Sequence, residues 1–319
     1  MIVKEGITDI SASEGDIKRF SRICKLIGNQ KRALSRKKVV ELIKNQIGLT
    51  NDNVIGRHIS ILEKVGVLEN TEGMYLLSSY GKALFYFVEN SNKLNLSEKI
   101  FYFNIFFSNI FGQLFLLLIT INDSPRESRN NIIIKYFENE NLMLWKKKTI
   151  MENLKIFIMK KEVSSFFENK FGCMEKWLRE LNLVEKKQNS LKLTQYGKRC
   201  LEKIDATLAK KGKINVELFE IASSLLDSEA ITFNFHNSGH KQNFINLFKE
   251  AYLKFVTELN VSDLKAMRMW ISVELLIKYN IILEENEFES MFNDLYNEGI
   301  VRSIMVDRKG RPSLVTINN

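Results

Sequence analysis

LEKVGVLENTEGMYLLSSYGKAL, residues 62–84, reads as the end of one helix, a two-stranded hairpin and the start of another helix. Upstream, Ile55, Ile59, Leu62 and Val65 recur at helical spacing, and Thr50 and Asn51 precede them as cap residues. Gly66 stops this helix, because a residue without a β-carbon takes the left-handed conformation at low cost. Val67 and Leu68, the polar tip ENTEG with Gly73, and MYLLS then give two short strands and a turn. Ser78 is placed to cap the helix YGKALFYFVEN. The expected order is helix, tight turn, helix, hairpin, helix.

The same grammar returns downstream. An offset of 116 aligns 53–82 with 169–198 without a gap. Asn53, Gly56, Leu62, Glu69, Leu77, Tyr80, Gly81 and Lys82 meet Asn169, Gly172, Leu178, Glu185, Leu193, Tyr196, Gly197 and Lys198. A third, fainter copy at an offset of 233 sets Ile55, Ile59, Leu62, Gly66 and Val67 on Phe288, Phe292, Leu295, Gly299 and Ile300. A unit written more than once in one chain predicts tandem structural units.

These residues resemble the winged-helix family: the recognition-helix end, the wing and the Ser/Thr-x-x-Gly cap of the following helix. The resemblance implies a mainly α fold with small β-hairpins (α+β). It implies three tandem winged-helix units over 1–95, 96–210 and 211–319, and double-stranded DNA as partner. The succession from the first unit through SEKIFYFNIFFSNIFGQLFLLL to EKWLRELNLVEKKQNSLKLTQYGKRCL also resembles the DNA-recognition half of type IIS restriction enzymes.

Length and composition agree with a folded chain of two or three domains. The 319 residues are 45% hydrophobic and 27% charged, which argues against disorder. Ten basic residues (Lys18, Arg19, Arg22, Lys25, Lys31, Arg32, Arg36, Lys37, Lys38 and Lys44) stand against one acid, Glu41, between 17 and 48, which accounts for the whole net charge of +9. Such a block is the footprint of a phosphate-binding surface, or else a solvated lysine-rich face.

Within the resemblance, the second helix of the turn enters the major groove and the wing reaches the backbone. With Ile55 and Leu62 inward, Asn53, Arg57, Ser60 and Lys64 share the outer face, suited to base edges and phosphate. In the second unit Asn169, Cys173, Lys176 and Glu180 take those places, and Lys186 and Lys187 sit in the wing. Lys146, Lys147 and Lys148 lie upstream. Trp145 and Trp177 read as core. The third helix is crowded by Glu284, Glu285, Glu287, Glu289, Asp294 and Glu298, so its DNA contact is expected from the wing residues Arg308, Lys309 and Arg311.

No phosphate loop, dinucleotide turn, zinc-protease helix or nucleophile elbow occurs, so neither catalysis nor a cofactor is expected. His58 reads as a boundary residue of its helix. His236 and His240 have metal-like spacing but lack further ligands nearby. Glu168-Asn-Lys170 and Glu185-Lys-Lys187 match the short element of a magnesium nuclease, but no Asp occurs from 124 to 204. The stretch 101–119 is nearly apolar enough to span a bilayer, yet Asn104, Ser108, Asn109, Gly112 and Gln113 break it, so two buried helices meeting near Asn109 are expected. Three isolated cysteines and no apolar leader in MIVKEGITDISASEGDIKRF fit a reducing, cytoplasmic home without a membrane anchor. The expected functions are transcription regulation or target recognition in a restriction or anti-phage system beside a separate catalytic or regulatory subunit. The alternative is a structural adaptor that uses the same units for protein contacts.

Overall fold

Short polar side chains begin most of the helices of this computed structural model, which describes residues 3–4, 16–30, 32–139, 142–143, 165–211 and 218–318. Asp16 caps α1 (Ile17–Gly28), Ser35 caps α2 (Arg36–Ile47) and Asn51 caps α3 (Asp52–Lys64). Strands β3 (Leu68–Thr71) and β4 (Met74–Leu77) form an antiparallel hairpin. A two-residue strand, β2 (Leu34–Ser35), pairs with β4 to give the order β2-β4-β3. Helix α4 (Ser79–Phe87) follows. β2 is an addition to the order expected above, because two residues carry no periodic signal. A further short strand, β1 (Val3–Lys4), pairs in parallel with β5 (Leu142–Met143).

The helix α5 (Leu96–Asn122) opens with a capping box between Asn95 and Glu98 and packs against α4 and the helices that follow. Its ladder breaks at Ile110, and its halves Leu96–Ile110 and Gly112–Asn122 meet at 102°. Among the described residues no single helix is long and apolar enough to cross a membrane. Asn104, polar and 3% exposed in this apolar run, is satisfied on both sides. Its amide donates to Ile100 O at 3.0 Å, and its Oδ1 accepts from Leu218 N at 3.1 Å. Phe101, Tyr102, Phe103, Phe106 and Phe107 are wholly buried around it.

After α6 (Arg129–Glu138) come α7 (Ser165–Glu180), the antiparallel hairpin β6 (Val184–Lys187) and β7 (Ser190–Leu193), and α8 (Gln195–Lys211). Trp177 is a core residue, stacked on Phe106 at 4.1 Å. Trp145 and Lys146–Lys148 lie outside the described residues. A short helix α9 (Phe219–Ala222) leads to β8 (Ile231–Thr232), α10 (Ser238–Phe255), β9 (Ser262–Asp263), α11 (Leu264–Tyr279), β10 (Ile281–Ile282) and α12 (Glu285–Asn297). The chain closes with the long hairpin β11 (Val301–Val306) and β12 (Pro312–Ile317), whose β12 pairs with β9 in the order β11-β12-β9. Among the described residues the protein is thus mainly α with small β-sheets, antiparallel except for the two-residue pairs β1–β5 and β8–β10, which are parallel.

The recurrent sequence marks recurrent backbone. Gly66, Asn182 and Gly299 all have positive φ, at 77°, 62° and 74°, where a helix turns into a hairpin. Ser78 Oγ accepts from Gly81 N at 3.0 Å and donates to Gly66 O at 2.5 Å; Thr194 Oγ1 accepts from Gly197 N at 3.1 Å and donates to Asn182 O at 2.5 Å. One hydroxyl therefore caps the helix after the hairpin and ties it to the helix before. Cross-strand contacts alone would leave a two-stranded hairpin marginal.

Candidate nucleic-acid interface

Arg36, Lys37 and Lys38 open α2, all exposed, with no acid in its first turn. A helix N-terminus carries partial positive charge and unbonded amides, so each cation there costs about 0.3–1 kcal/mol at low salt. The Ser35 hydroxyl accepts from Lys38 N at a long 3.5 Å, which leaves the turn poorly satisfied. An anion would relieve both charges and amides. Arg36 also lies along α3, since a β-carbon at Gly56 would stand 3.3 Å from its Nη2. On α3, Asn53, Arg57 and Lys64 are exposed and Ser60 is half-buried, and Lys44 binds Asp52 at 2.6 Å between the helices. Beside them the first hairpin exposes Glu69, Asn70, Thr71 and Glu72.

The basic block read from the sequence is not one surface. Lys18 is 6% exposed; its Nζ reaches both Glu98 oxygens at 2.9 Å and Glu89 O at 3.2 Å. Arg19 pairs with its cap Asp16, Arg22 donates to Asn92, and Lys25 donates to Phe85 O and stands 4.2 Å over that ring. Lys18 and Lys25 thus fasten α1 to α5 and α4, Arg22 reaches the segment between those helices, and Arg19 serves the start of α1 itself. The exposed remainder is Arg32, Arg36, Lys37 and Lys38; Lys31 lies outside the described residues.

The second segment departs further from expectation. Cys173, read as outward, is 1% exposed, and Glu180 is turned to α1, its Oε2 accepting from Ile17 N at 2.9 Å. Lys176 stands 4.0 Å from both Asp16 and Glu180. The face of α7 that aligns with the outer face of α3 is thus partly spent on a seam with α1. The physical reason is at the start of α1, whose open amides draw a carboxylate. Lys186 and Lys187 are exposed, Lys187 pairing with Glu185 at 2.8 Å, but the tip of their hairpin is tied down by Arg129 N donating to Asn189 O at 2.8 Å. A cleft of about 450 Å³ opens here between Arg129, Gly172, Lys176, Arg179, Glu180 and Lys186. Its buried Arg129 is already neutralised by Glu168 at 2.7 Å and Glu175 at 2.6 Å.

Burial, reinforced by the Asp16 carboxylate, pushes Glu180 from its ordinary 4.5 up to about 7, against the pull of Lys176 and the Ile17 and Lys18 amides. A raised folded value means stability present below pH 4.5 and lost as pH rises through about 7. Thermal melts across this window are expected to show the wild type losing on the order of 2 kcal/mol relative to Glu180→Gln. Parallel pH profiles for the two proteins would contradict this.

In the third segment α12 keeps its acids: Glu285 pairs with Arg268, and Asp294 lies 3.7 Å from Lys241. Arg308, Lys309 and Arg311 are exposed at the tip of the β11–β12 hairpin. Asp307 organises that tip, accepting from Lys309 N at 2.8 Å and Arg311 N at 3.0 Å and pairing with the Arg311 guanidinium at 3.2 Å; these bonds hold its carboxyl below the ordinary range.

His58, read as a boundary residue, is wholly buried against Phe20, with Nδ1 donating to Val54 O at 2.7 Å. His240 Nδ1 accepts from Asn234 N at 3.0 Å, while His236 is exposed. Glu168 lies on α7 and Glu185 on β6, each engaged in its own ion pair. Among the described residues no three His, Cys, Asp or Glu side chains gather to hold a metal ion.

No family model matches the chain, and no curated protein matches its sequence. The chain is distantly similar to the structure of the restriction endonuclease FokI, at 13% identity and a TM-score of 0.35. That likeness covers 100% of this chain, which spans 63% of the other's length. A similarity this distant carries no argument about activity.

Proposed function

We propose that the chain binds double-stranded DNA through tandem winged-helix units, with the first unit, α1 to α4, as the main contact. The order helix, strand, helix, helix, hairpin supports this reading of 17–77, and the matching strand orders β2-β4-β3 and β9-β12-β11 extend it to 238–317. The first turn of α2 carries the proposal: three cations gathered at the positive end of a helix make sense where a phosphate completes them. Arg57 and Asn53 then stand on the neighbouring helix to meet base edges, with Lys64 on phosphate. The role is that of a transcription regulator or of the target-recognition component of a restriction or anti-phage system, and no catalytic step is assigned to the chain. Three buried free thiols support a reducing, cytoplasmic setting.

Lys37→Ala/Lys38→Ala tests the phosphate contact at the first turn of α2. Affinity for a mixed-sequence duplex at low salt is expected to fall about tenfold or more, while thermal stability stays level or rises by up to about 1–2 kcal/mol. Undiminished affinity would overturn the assignment of phosphate to α2. The adaptor reading has one observation in its favour, the use of the α7 face for contact with α1. It predicts a stable protein complex without nucleic acid.

A further inference from the structure

The charges of the first and third segments are distributed in opposite ways. In the first, cations cluster on α2 and α3, while the hairpin carries Glu69 and Glu72 and no Lys or Arg between Leu68 and Leu77. In the third, Glu289 and Glu298 are exposed on or beside α12, while the hairpin exposes Arg302, Arg308, Lys309 and Arg311. Its single acid, Asp307, is consumed in shaping the tip. An acidic hairpin is repelled by a phosphate backbone; a basic one is drawn to it. The third hairpin is also the longer, with six-residue strands against four.

The two segments are joined at the base of the first hairpin and at the tip half of the third, where Leu314 stands opposite Met305. Asp263, paired in register with Leu314 of β12, accepts from Ser79 Oγ and Lys82 Nζ at 2.9 Å each. Ser79 directly follows Ser78, the residue that closes the first hairpin. Lys265 adds a contact 4.4 Å over the Tyr80 ring, and Tyr86 reaches Lys254 O and stacks edge-on with Phe255 at 5.0 Å. From Leu314 to the tip at Gly310 is four residues, about 13 Å of strand. The basic tip is therefore held, through Asp263, close to the residues that follow the acidic hairpin. It stands well within one helical turn of DNA, about 34 Å, of those residues.

We propose that the third hairpin supplies the phosphate contact that the first cannot, so that one duplex is held by α2 and α3 of the first segment and by the β11–β12 hairpin of the third. This rests on the DNA-binding reading above. Arg308 and Lys309 are the contacting cations; Arg311 is shared with Asp307. The junction at Asp263, Ser79 and Lys82 sets the spacing of the two halves.

The test is binding of a mixed-sequence duplex by the full chain across a salt series, in three variants altered at exposed positions. Arg308→Ala/Lys309→Ala is expected to weaken binding about tenfold and to reduce the slope of log affinity against log salt by about two, at about 0.9 per phosphate. Lys37→Ala/Lys38→Ala is expected to do the same, and Glu69→Gln/Glu72→Gln to leave the slope unchanged. If the Arg308/Lys309 variant binds like wild type while the Lys37/Lys38 variant is weakened, the two-part surface is wrong and the DNA reading stands. A steeper slope in the Glu69/Glu72 variant would return the wing role to the first hairpin. If the wild type binds no DNA at low salt, both fall together.

Discussion

Replacing Lys18 by methionine is expected to destabilise the protein by about 3–5 kcal/mol, the cost of leaving a buried charge without its partner. Glu98 is wholly buried, and its carboxylate is held by Lys18 Nζ at 2.9 Å to both oxygens, with one oxygen also accepting from Asn95 N at 3.1 Å. Methionine keeps the length of the lysine stem and removes its charge, so cavity formation contributes little. The double variant Lys18→Met/Glu98→Gln is expected to recover most of the loss, because glutamine keeps the capping box and buries no net charge. Chemical denaturation of the two variants separates this from a packing effect. A single variant within about 1 kcal/mol of wild type would show that the pair is not needed.

Gly81→Ala carries the next largest expected effect, about 2–3 kcal/mol. A β-carbon there would lie 2.1 Å from Val67 O and 3.2 Å from Leu77 Cβ, and the first of these neighbours is backbone that cannot rotate away. α4 would have to lift from the hairpin, opening the Ser78 N to Val67 O bond of 3.1 Å and the Ser78 bonds beside it. Gly197→Ala meets Leu183 O at the same 2.1 Å and is expected to cost a similar amount. Gly73→Ala is the control: its φ of 81° disfavours alanine, but nothing lies within 4 Å, so about 1 kcal/mol is expected. Equal denaturation midpoints for Gly81→Ala and Gly73→Ala would refute the close-approach argument.

This clash explains why the Tyr-Gly-Lys ending was legible in the sequence. Ser78, Gly81, Thr194 and Gly197 each answer a local need met within about twelve residues, and local needs leave local patterns. The bend of α5 was legible for the same reason: Asn109 and Gly112 stand beside the break at Ile110. What sequence could not reveal was long-range. Lys18 reads as one more cation of a basic block until its partner, 80 residues away, comes into view. Glu180 reads as an outward carboxylate on α7, yet the amide it caps is 163 residues earlier in the chain. For the candidate interface, Arg36, Lys37 and Lys38 were legible as cations. Their place in the first turn of a helix lacking an acid depended on where α2 begins. The third hairpin's basic tip was likewise visible, but its attachment at Asp263 to Ser79 and Lys82 was not.

Whether α2 and α3 form a phosphate-binding surface is decided by the affinity for a mixed-sequence duplex from low to physiological salt. The wild type is compared with Arg36→Ala/Lys37→Ala/Lys38→Ala/Arg57→Ala. A linear, steep fall of log affinity with log salt is expected for the wild type, with a slope shallower by about three in the variant if three of the four cations meet phosphate. Absence of binding at low salt, or an identical slope in the variant, would contradict the assignment of phosphate to α2 and α3.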